Sequence, residues 1–162
     1  MTNRIVVGVD DSQGGRAAMR WALREAGLRN AAVEAVHTWS MPWSEGFNTA
    51  WAIDRAAFEE GARAMMRGVV AEAQRDVGVS ISPTLAVVEG VSAASALTEA
   101  ADGADLLVVG SRGRSGLTGL ALGSVSTACV HRATCPVVVV RPERHDVIDA
   151  AWATAPAGLA VT

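Results

Sequence analysis

The sequence predicts an α/β fold in which one parallel sheet of five strands is covered by helices on both faces. Short apolar runs alternate with helical patterns five times along the 162 residues. The runs are continuous rather than alternating, which is typical of strands that are buried on both faces. Half of the residues are hydrophobic, enough to build a single core at this length. These observations favour a doubly wound, Rossmann-like domain.

The first three elements follow from their residue patterns. A strand is predicted over residues 4–9, a helix over 14–28 and a second strand over 32–38. The next segment, residues 39–53, contains three tryptophans, a proline and a glycine. It is longer than most connections between a strand and a helix, so we interpret it as a functional loop.

The second half of the chain repeats the alternation. Asp54 is predicted to cap a long second helix. The apolar stripe expected on that helix consists of Phe58, Ala62, Met65, Met66, Val69 and Ala73. The remaining elements are predicted as a strand over 81–88, a helix over 92–101, a strand over 106–109, a helix over 124–132 and a strand over 136–140.

A glycine-rich stretch between the fourth strand and the last helix is the most informative motif. Its pattern is G-x2-G-x9-G-S, formed by Gly110, Gly113, Gly123 and Ser124. Glycines let backbone N–H groups approach an anion, and a helix N-terminus adds free donors and a positive dipole end. The chain contains no lysine and neither of the two common phosphate loops. The stretch therefore predicts a phosphate site without lysine, and a Gly/Ser surface loop is the alternative.

Polar residues at other strand ends point to the same region. Ligands of such sheets bind beyond the carboxyl ends of the strands, so Asp10 and Gly110 share one crevice if the first and fourth strands are neighbours. A carboxylate such as Asp10 can accept from a ribose hydroxyl, although it can equally end the strand and cap a helix. Arg112 and Arg114 can supply charge-assisted bonds to phosphate. His37 is predicted to be a hydrogen-bonded histidine of the core or its rim.

Composition and residue spacing limit the kinds of partner and the cellular location that we expect for this protein. The net charge of −3 and the lack of a concentrated basic face argue against a nucleic-acid partner. The sequence contains no run of about 18 apolar residues, so no membrane-spanning helix is predicted. The N-terminus does not resemble a signal peptide, so we expect a cytoplasmic protein with free thiols. The spacing of Cys129, His131 and Cys135 matches no standard zinc site.

Several motifs together resemble the universal stress protein domain. They are Gly-Val-Asp-x-Ser at the first strand end, Val-His at the second, Gly-Ser-Arg-Gly-Arg-Ser-Gly with Leu-Gly-Ser-Val-Ser, and the final Cys-Pro-Val-Val-Val-Val. The resemblance covers residues 4–142. It implies the strand order 3-2-1-4-5, ATP as ligand with Mg²⁺ left open, and a homodimer. We accordingly expect a nucleotide-binding domain over 1–143 and a disordered Ala-rich tail over 144–162.

The resemblance also implies a set of binding residues. Asp10 is expected at the ribose or phosphates, and backbone groups of Val9 and Thr38 at the adenine. The ribose and first phosphates are assigned to Val109, Gly110, Arg112 and Gly113. The remaining phosphate donors are assigned to Gly123, Ser124, Val125 and Ser126, with Arg114 as an added cation.

The function implied is that of an ATP-binding regulator in stress response or signalling. A water-activating base is not identifiable, so we expect at most slow ATP hydrolysis or autophosphorylation. A member of the same fold that prefers cyclic AMP, and a dimeric adaptor that needs no nucleotide, remain alternatives. The last strand, residues 137–140, is predicted at the sheet edge, where pairing with a twofold mate would give a homodimer.

Overall fold

The computed structural model describes residues 3–39, 55–90, 92–113 and 122–142. Five parallel strands form one sheet in the order β3-β2-β1-β4-β5, which confirms the predicted fold class. The strands are β1 Arg4–Gly8, β2 Ala32–Trp39, β3 Thr84–Glu89, β4 Leu106–Gly110 and β5 Val137–Val140. The helices are α1 Gln13–Arg29, α2 Arg55–Val77, α3 Ala93–Ala100 and α4 Ser124–Arg132.

A hydrophobic core lies on each face of the sheet. Helices α1 and α2 cover one face and α3 and α4 the other. Successive strand residues point to opposite faces, so Val6 and Val7 of the central strand enter different cores, and both are fully buried. This two-sided burial explains why the strands read as unbroken apolar runs.

The start and end of α1 are set by local chemistry. The hydroxyl of Ser12 accepts from the N–H of Gly15 at 3.1 Å and caps the helix. At the other end, Asn30 adopts the left-handed conformation with φ of 51°. The chain enters β2 two residues later, so this cap ends α1 next to the beginning of β2.

Several predicted boundaries differ from the observed ones, by one residue at most except at the start of β3. Strand β3 begins at Thr84 rather than at residue 81, because Pro83 has no N–H to give to a ladder. Trp39 belongs to β2 rather than to the following loop.

The predicted core position of Phe58 is also wrong. Its side chain is 52% exposed, because burial on α2 begins only at Met66, in the half of the helix that lies over the sheet. Phe58 instead stacks on the indole of Trp39, with ring centroids 6.0 Å apart and planes inclined by 4°. The guanidinium of Arg55 lies 5.9 Å from the same indole and pairs with Glu89. This cluster joins the beginning of α2 to the ends of β2 and β3.

Some sequence-based predictions lie outside the described residues. They are the loop after Trp39, the Asp54 cap, Arg114 and the C-terminal tail. Within the described ranges, no helix is both long and apolar enough to cross a bilayer. In the same ranges, no three His, Cys, Asp or Glu side chains group in a way that could hold a metal ion.

Candidate functional site

A cavity of about 360 Å³ lies at the carboxyl edge of the sheet, where the strand order reverses between β1 and β4. Its size is within the range of small-molecule sites. The predicted site residues that line it are Val9, Asp10, Thr38, Val109, Gly110, Arg112, Gly113, Gly123, Ser124, Val125 and Ser126. The structure thus brings the end of β1, the end of β2, the glycine motif and the start of α4 around one space.

Asp10 is held in place at the end of β1. Its Oδ1 accepts from the backbone N–H of Ser12 at 3.1 Å and also from the Ser12 hydroxyl. Its Oδ2 lies beside Gly113, where a Cβ would come within 3.1 Å of it. The carboxylate therefore uses one oxygen for the turn and presents the other toward the glycine motif. The helix cap considered for Asp10 is formed by Ser12 instead, while Oδ2 of Asp10 faces the cavity side occupied by Gly113.

Glycines permit a backbone-to-backbone contact between the start of α1 and the end of β4. A Cβ on Gly14 would lie 2.0 Å from the carbonyl oxygen of Arg112, and one on Gly110 would lie 2.5 Å from the carbonyl carbon of Gly14. A Cβ on Gly15 would lie 2.3 Å from Oδ1 of Asp10. Sequence reasoning gave Gly14 and Gly15 no role, although two adjacent glycines at a helix start were a visible signal.

The first turn of α4 forms the polar end of the cavity. The N–H of Gly123 donates to the carbonyl of Ser111 at 2.7 Å, so this amide is already engaged. The buried hydroxyl of Ser126 is also engaged, with the Gly123 carbonyl at 3.0 Å and the Ser111 carbonyl at 3.3 Å.

The amides of Ser124, Val125 and Ser126 have no hydrogen-bond acceptor among the described residues. They belong to the first helical turn, where amides lack an intrahelical acceptor. Together with the helix dipole, they give this end of the cavity a positive potential.

The opposite end of the cavity is apolar. Its walls come from Val36, Leu97 and Val109, with Ala93 at the start of α3. Gly8 also lines the cavity. A Cβ at this position would lie 3.0 Å from Cδ1 of Leu97, so a larger residue would crowd the wall. Such a surface suits the face of a planar ring.

Thr38 supplies backbone groups to this apolar end. The N–H of Gly90 bonds the carbonyl of Trp39, so the backbone of Trp39 faces β3. Because backbone groups alternate along a strand, those of Thr38 face β1. Thr38 lines the cavity at the point where β1 has ended, so these groups project toward it.

His37 is a buried, hydrogen-bonded residue, as the sequence predicted. Its side chain is 7% exposed, and Nδ1 lies 2.7 Å from the carbonyl oxygen of Val9. A carbonyl can only accept, so Nδ1 carries the proton. The bond spans β2 and the segment directly before Asp10.

Comparisons with known proteins cover most of this chain. The model of the universal stress protein family matches residues 1–141. A universal stress protein of Mycolicibacterium smegmatis is 35% identical over 144 residues, which cover 84% of this chain and 47% of that protein. One from Mycobacterium tuberculosis is 36% identical over 146 residues, covering 85% and 45% respectively. The chain thus spans about half the length of these curated relatives.

A solved structure extends the comparison to ligands. A universal stress protein in complex with cyclic AMP superposes with a TM-score of 0.62 at 27% identity, covering 88% of this chain and 98% of that one. Nucleotide binding therefore occurs within the family. The strand order, the glycine motif and the family match lead to one conclusion: the chain belongs to the universal stress protein family.

Proposed function

We propose that this chain binds an adenine nucleotide, ATP in the first place, and acts as a nucleotide-dependent regulator in the stress response. The observation that carries the proposal is the cavity itself. It joins an apolar end, a carboxylate and a first helical turn whose amides have no acceptor among the described residues, in one space of about 360 Å³. A base, a ribose and a phosphate have these three chemistries.

Asp10 is assigned to the ribose hydroxyls in this proposal. The substitution Asp10→Asn keeps an oxygen for the Ser12 bonds but removes the charge that strengthens a bond from a hydroxyl. We expect it to weaken ATP binding by about tenfold, since hydrogen bonds to charged groups contribute about 1.5–3 kcal/mol and neutral ones about 0.5–1.5 kcal/mol, and a difference of about 1.4 kcal/mol is tenfold. Asp11→Asn is the matched control, because this neighbour is exposed and does not line the cavity. Equal effects of the two substitutions in calorimetric titrations would count against the assignment.

The phosphates are assigned to the first turn of α4, with added charge from Arg112 and Arg114. The amides of Ser124, Val125 and Ser126 are the proposed donors, and Gly123 contributes through its close approach rather than through its N–H. Backbone amides and arginine replace the lysine of other phosphate loops. Whether Mg²⁺ accompanies the nucleotide is tested by titrations with the ion and with EDTA.

Cyclic AMP is a second candidate ligand, favoured by the solved family member that holds it. The two nucleotides share the base, the ribose and one phosphate, so affinity must decide between them. We would titrate ATP, ADP, cyclic AMP and GTP in parallel by calorimetry. Tighter binding of cyclic AMP would replace ATP in the proposal. No binding of any of them would leave the dimeric adaptor as the function.

A homodimer through β5 is part of the proposal. Among the described residues, Val137–Val140 pairs with β4 alone, and the carbonyls of Pro136 and Val140 accept bonds from that side. By the alternation along a strand, the N–H and carbonyl of Val139 point to the outer edge, where a second β5 can pair.

The substitution Val139→Pro removes an outward donor without removing a bond to β4. We expect a dimer for the wild type and a monomer for this variant by light scattering at micromolar concentration. A wild-type monomer, or a variant that stays dimeric, would contradict the pairing.

The regulatory role is proposed in preference to rapid catalysis. Phosphoryl transfer needs a positioned nucleophile and a group that activates it. Among the described residues that line the cavity, Asp10 is the one carboxylate, and one of its oxygens is held by Ser12. We expect slow ATP turnover at most, and a cytoplasmic location. A release of phosphate at many turnovers per second would contradict the regulatory reading.

A further inference from the structure

We propose that His37 is a positioning residue, which fixes Asp10 for the ribose by holding the carbonyl of Val9. The inference rests on the proposed nucleotide site and extends it to a side chain that the motifs left without a role. His37 lies on β2, and Asp10 follows the end of β1. The link between them is the hydrogen bond from Nδ1 to the Val9 carbonyl at 2.7 Å.

The backbone at this point explains why a side chain is needed. Val9 donates its N–H to the carbonyl of Val36 at 2.9 Å. This is the bond expected if the parallel ladder between β1 and β2 continued for one more residue. A regular ladder would then pair the Val9 carbonyl with the N–H of Thr38. That bond is not formed, because β1 has left the sheet after Gly8. His37 supplies the missing donor.

The consequence reaches Asp10 through one peptide unit. The carbonyl of Val9 and the N–H of Asp10 belong to the same planar group, so fixing one orients the other. The Ser12 bonds then hold Oδ1 from the opposite side. Without His37, the peptide could rotate to find another donor, and Oδ2 would lose its fixed place beside Gly113. A buried carbonyl without a donor is costly, so such a rotation is expected.

The nitrogen that carries the proton can be tested without any nucleotide. A long-range proton–nitrogen correlation spectrum distinguishes Nδ1–H from Nε2–H in a neutral imidazole. The His37 signals are identified by their loss in His37→Asn, since His131 and His145 remain. The Nδ1–H form is expected. The Nε2–H form would overturn the role of His37 even if ATP binds normally.

Comparing the binding of ATP with that of 2′,3′-dideoxy-ATP distinguishes a positioning role of His37 from a general effect on packing. His37→Leu removes the donor, and His37→Asn keeps an N–H at the same number of bonds from the backbone. For His37→Leu we expect about tenfold weaker binding of ATP but less than about twofold for 2′,3′-dideoxy-ATP, which lacks the hydroxyls. His37→Asn should restore ATP binding to within about threefold of the wild type. Equal losses for both nucleotides, no rescue by Asn, or no loss at all would overturn the proposal.

If the protein does not bind nucleotides at all, the result differs from the one expected when only the role of His37 is wrong. Wild-type protein that binds neither nucleotide would overturn the proposed function, and the ribose role of His37 with it. If His37→Leu does not fold, His37→Gln replaces it, because its amide lies one carbon farther from the backbone. Gln should then behave as Leu is expected to, and full ATP affinity in His37→Gln would overturn the proposal. Circular dichroism and melting temperatures of each variant establish that binding is compared between folded proteins.

Discussion

The contact between α1 and the end of β4 leaves no room for a side chain, and Gly14→Ala tests this directly. The added methyl would lie 2.0 Å from the carbonyl oxygen of Arg112, whereas real Cβ contacts shorter than 3.0 Å are essentially never seen. The two backbones must therefore separate by about 1 Å. Overpacking of this kind costs about 1–3 kcal/mol. The gain in helix propensity from Gly to Ala is about 1 kcal/mol in a helix interior and smaller at Gly14, the second residue of α1, so we expect a net loss of about 1–2 kcal/mol.

Gly68→Ala is the matched control for this change. Gly68 also lies in a helix, but a Cβ there would meet nothing within 4 Å. For a chain of this length, 1 kcal/mol shifts the melting temperature by about 2–4 °C. Gly14→Ala should therefore melt about 2–8 °C below the wild type in a calorimetric scan, and Gly68→Ala, which gains about 0.5–1 kcal/mol, about 1–4 °C above it. A Gly14→Ala protein that melts at or above the wild type would refute the close contact.

Three further changes test side chains at the start of α1 and within α4, the helices that contribute Gly15 and Ser126 to the cavity. Ser12→Ala removes the cap of α1 together with the hydroxyl bond to Asp10 and should lower the free energy of unfolding in urea by about 1 kcal/mol, with Ser12→Thr, which keeps both bonds, close to wild type. An unchanged Ser12→Ala would contradict the cap. Ser126→Ala removes a buried hydroxyl that bonds two carbonyls and should cost about 1–2 kcal/mol in the same assay, whereas the exposed Thr127→Ala should be near neutral. Burial raises the pKa of the Cys129 thiol from 9.0 to about 11, so the stability it confers is complete below pH 9 and is lost as the pH rises toward 11. The fall in unfolding free energy over that interval should be shallower in Cys129→Ala, and parallel curves would contradict the shift.

The sheet was predictable because its strands carry unbroken apolar runs. Burial on both faces requires such runs, and the helical patterns between them require parallel crossovers. The exact start of β3 was not predictable from hydrophobicity. Ile81 packs against the core, and its carbonyl accepts from Gln74, so this residue is apolar for a reason other than membership of a strand. The exposed Phe58 was missed for a related reason, since periodicity does not say how far a helix extends beyond the sheet.

The candidate site was predictable where its chemistry lies in consecutive residues. The glycine motif and Asp10 both end strands, and the order of the strands then brings them together. The roles of Gly14 and His37 depend on contacts between residues far apart in the chain, with Arg112 and with Val9 respectively. A single sequence shows that a glycine or a histidine is present there. It does not show which backbone atom lies opposite.

The charge distribution across the cavity sets the direction in which a nucleotide would lie. Asp10 brings a negative charge beside Gly113, and the first turn of α4 brings the positive end of a helix dipole. A phosphate is repelled from the first and attracted to the second, whereas a hydroxyl is a donor that the carboxylate can accept. The apolar walls around Leu97 leave the third region to the base. In the proposed complex, Asp10 and the first turn of α4 would therefore act on different parts of one ligand. Either feature alone would leave that orientation undetermined.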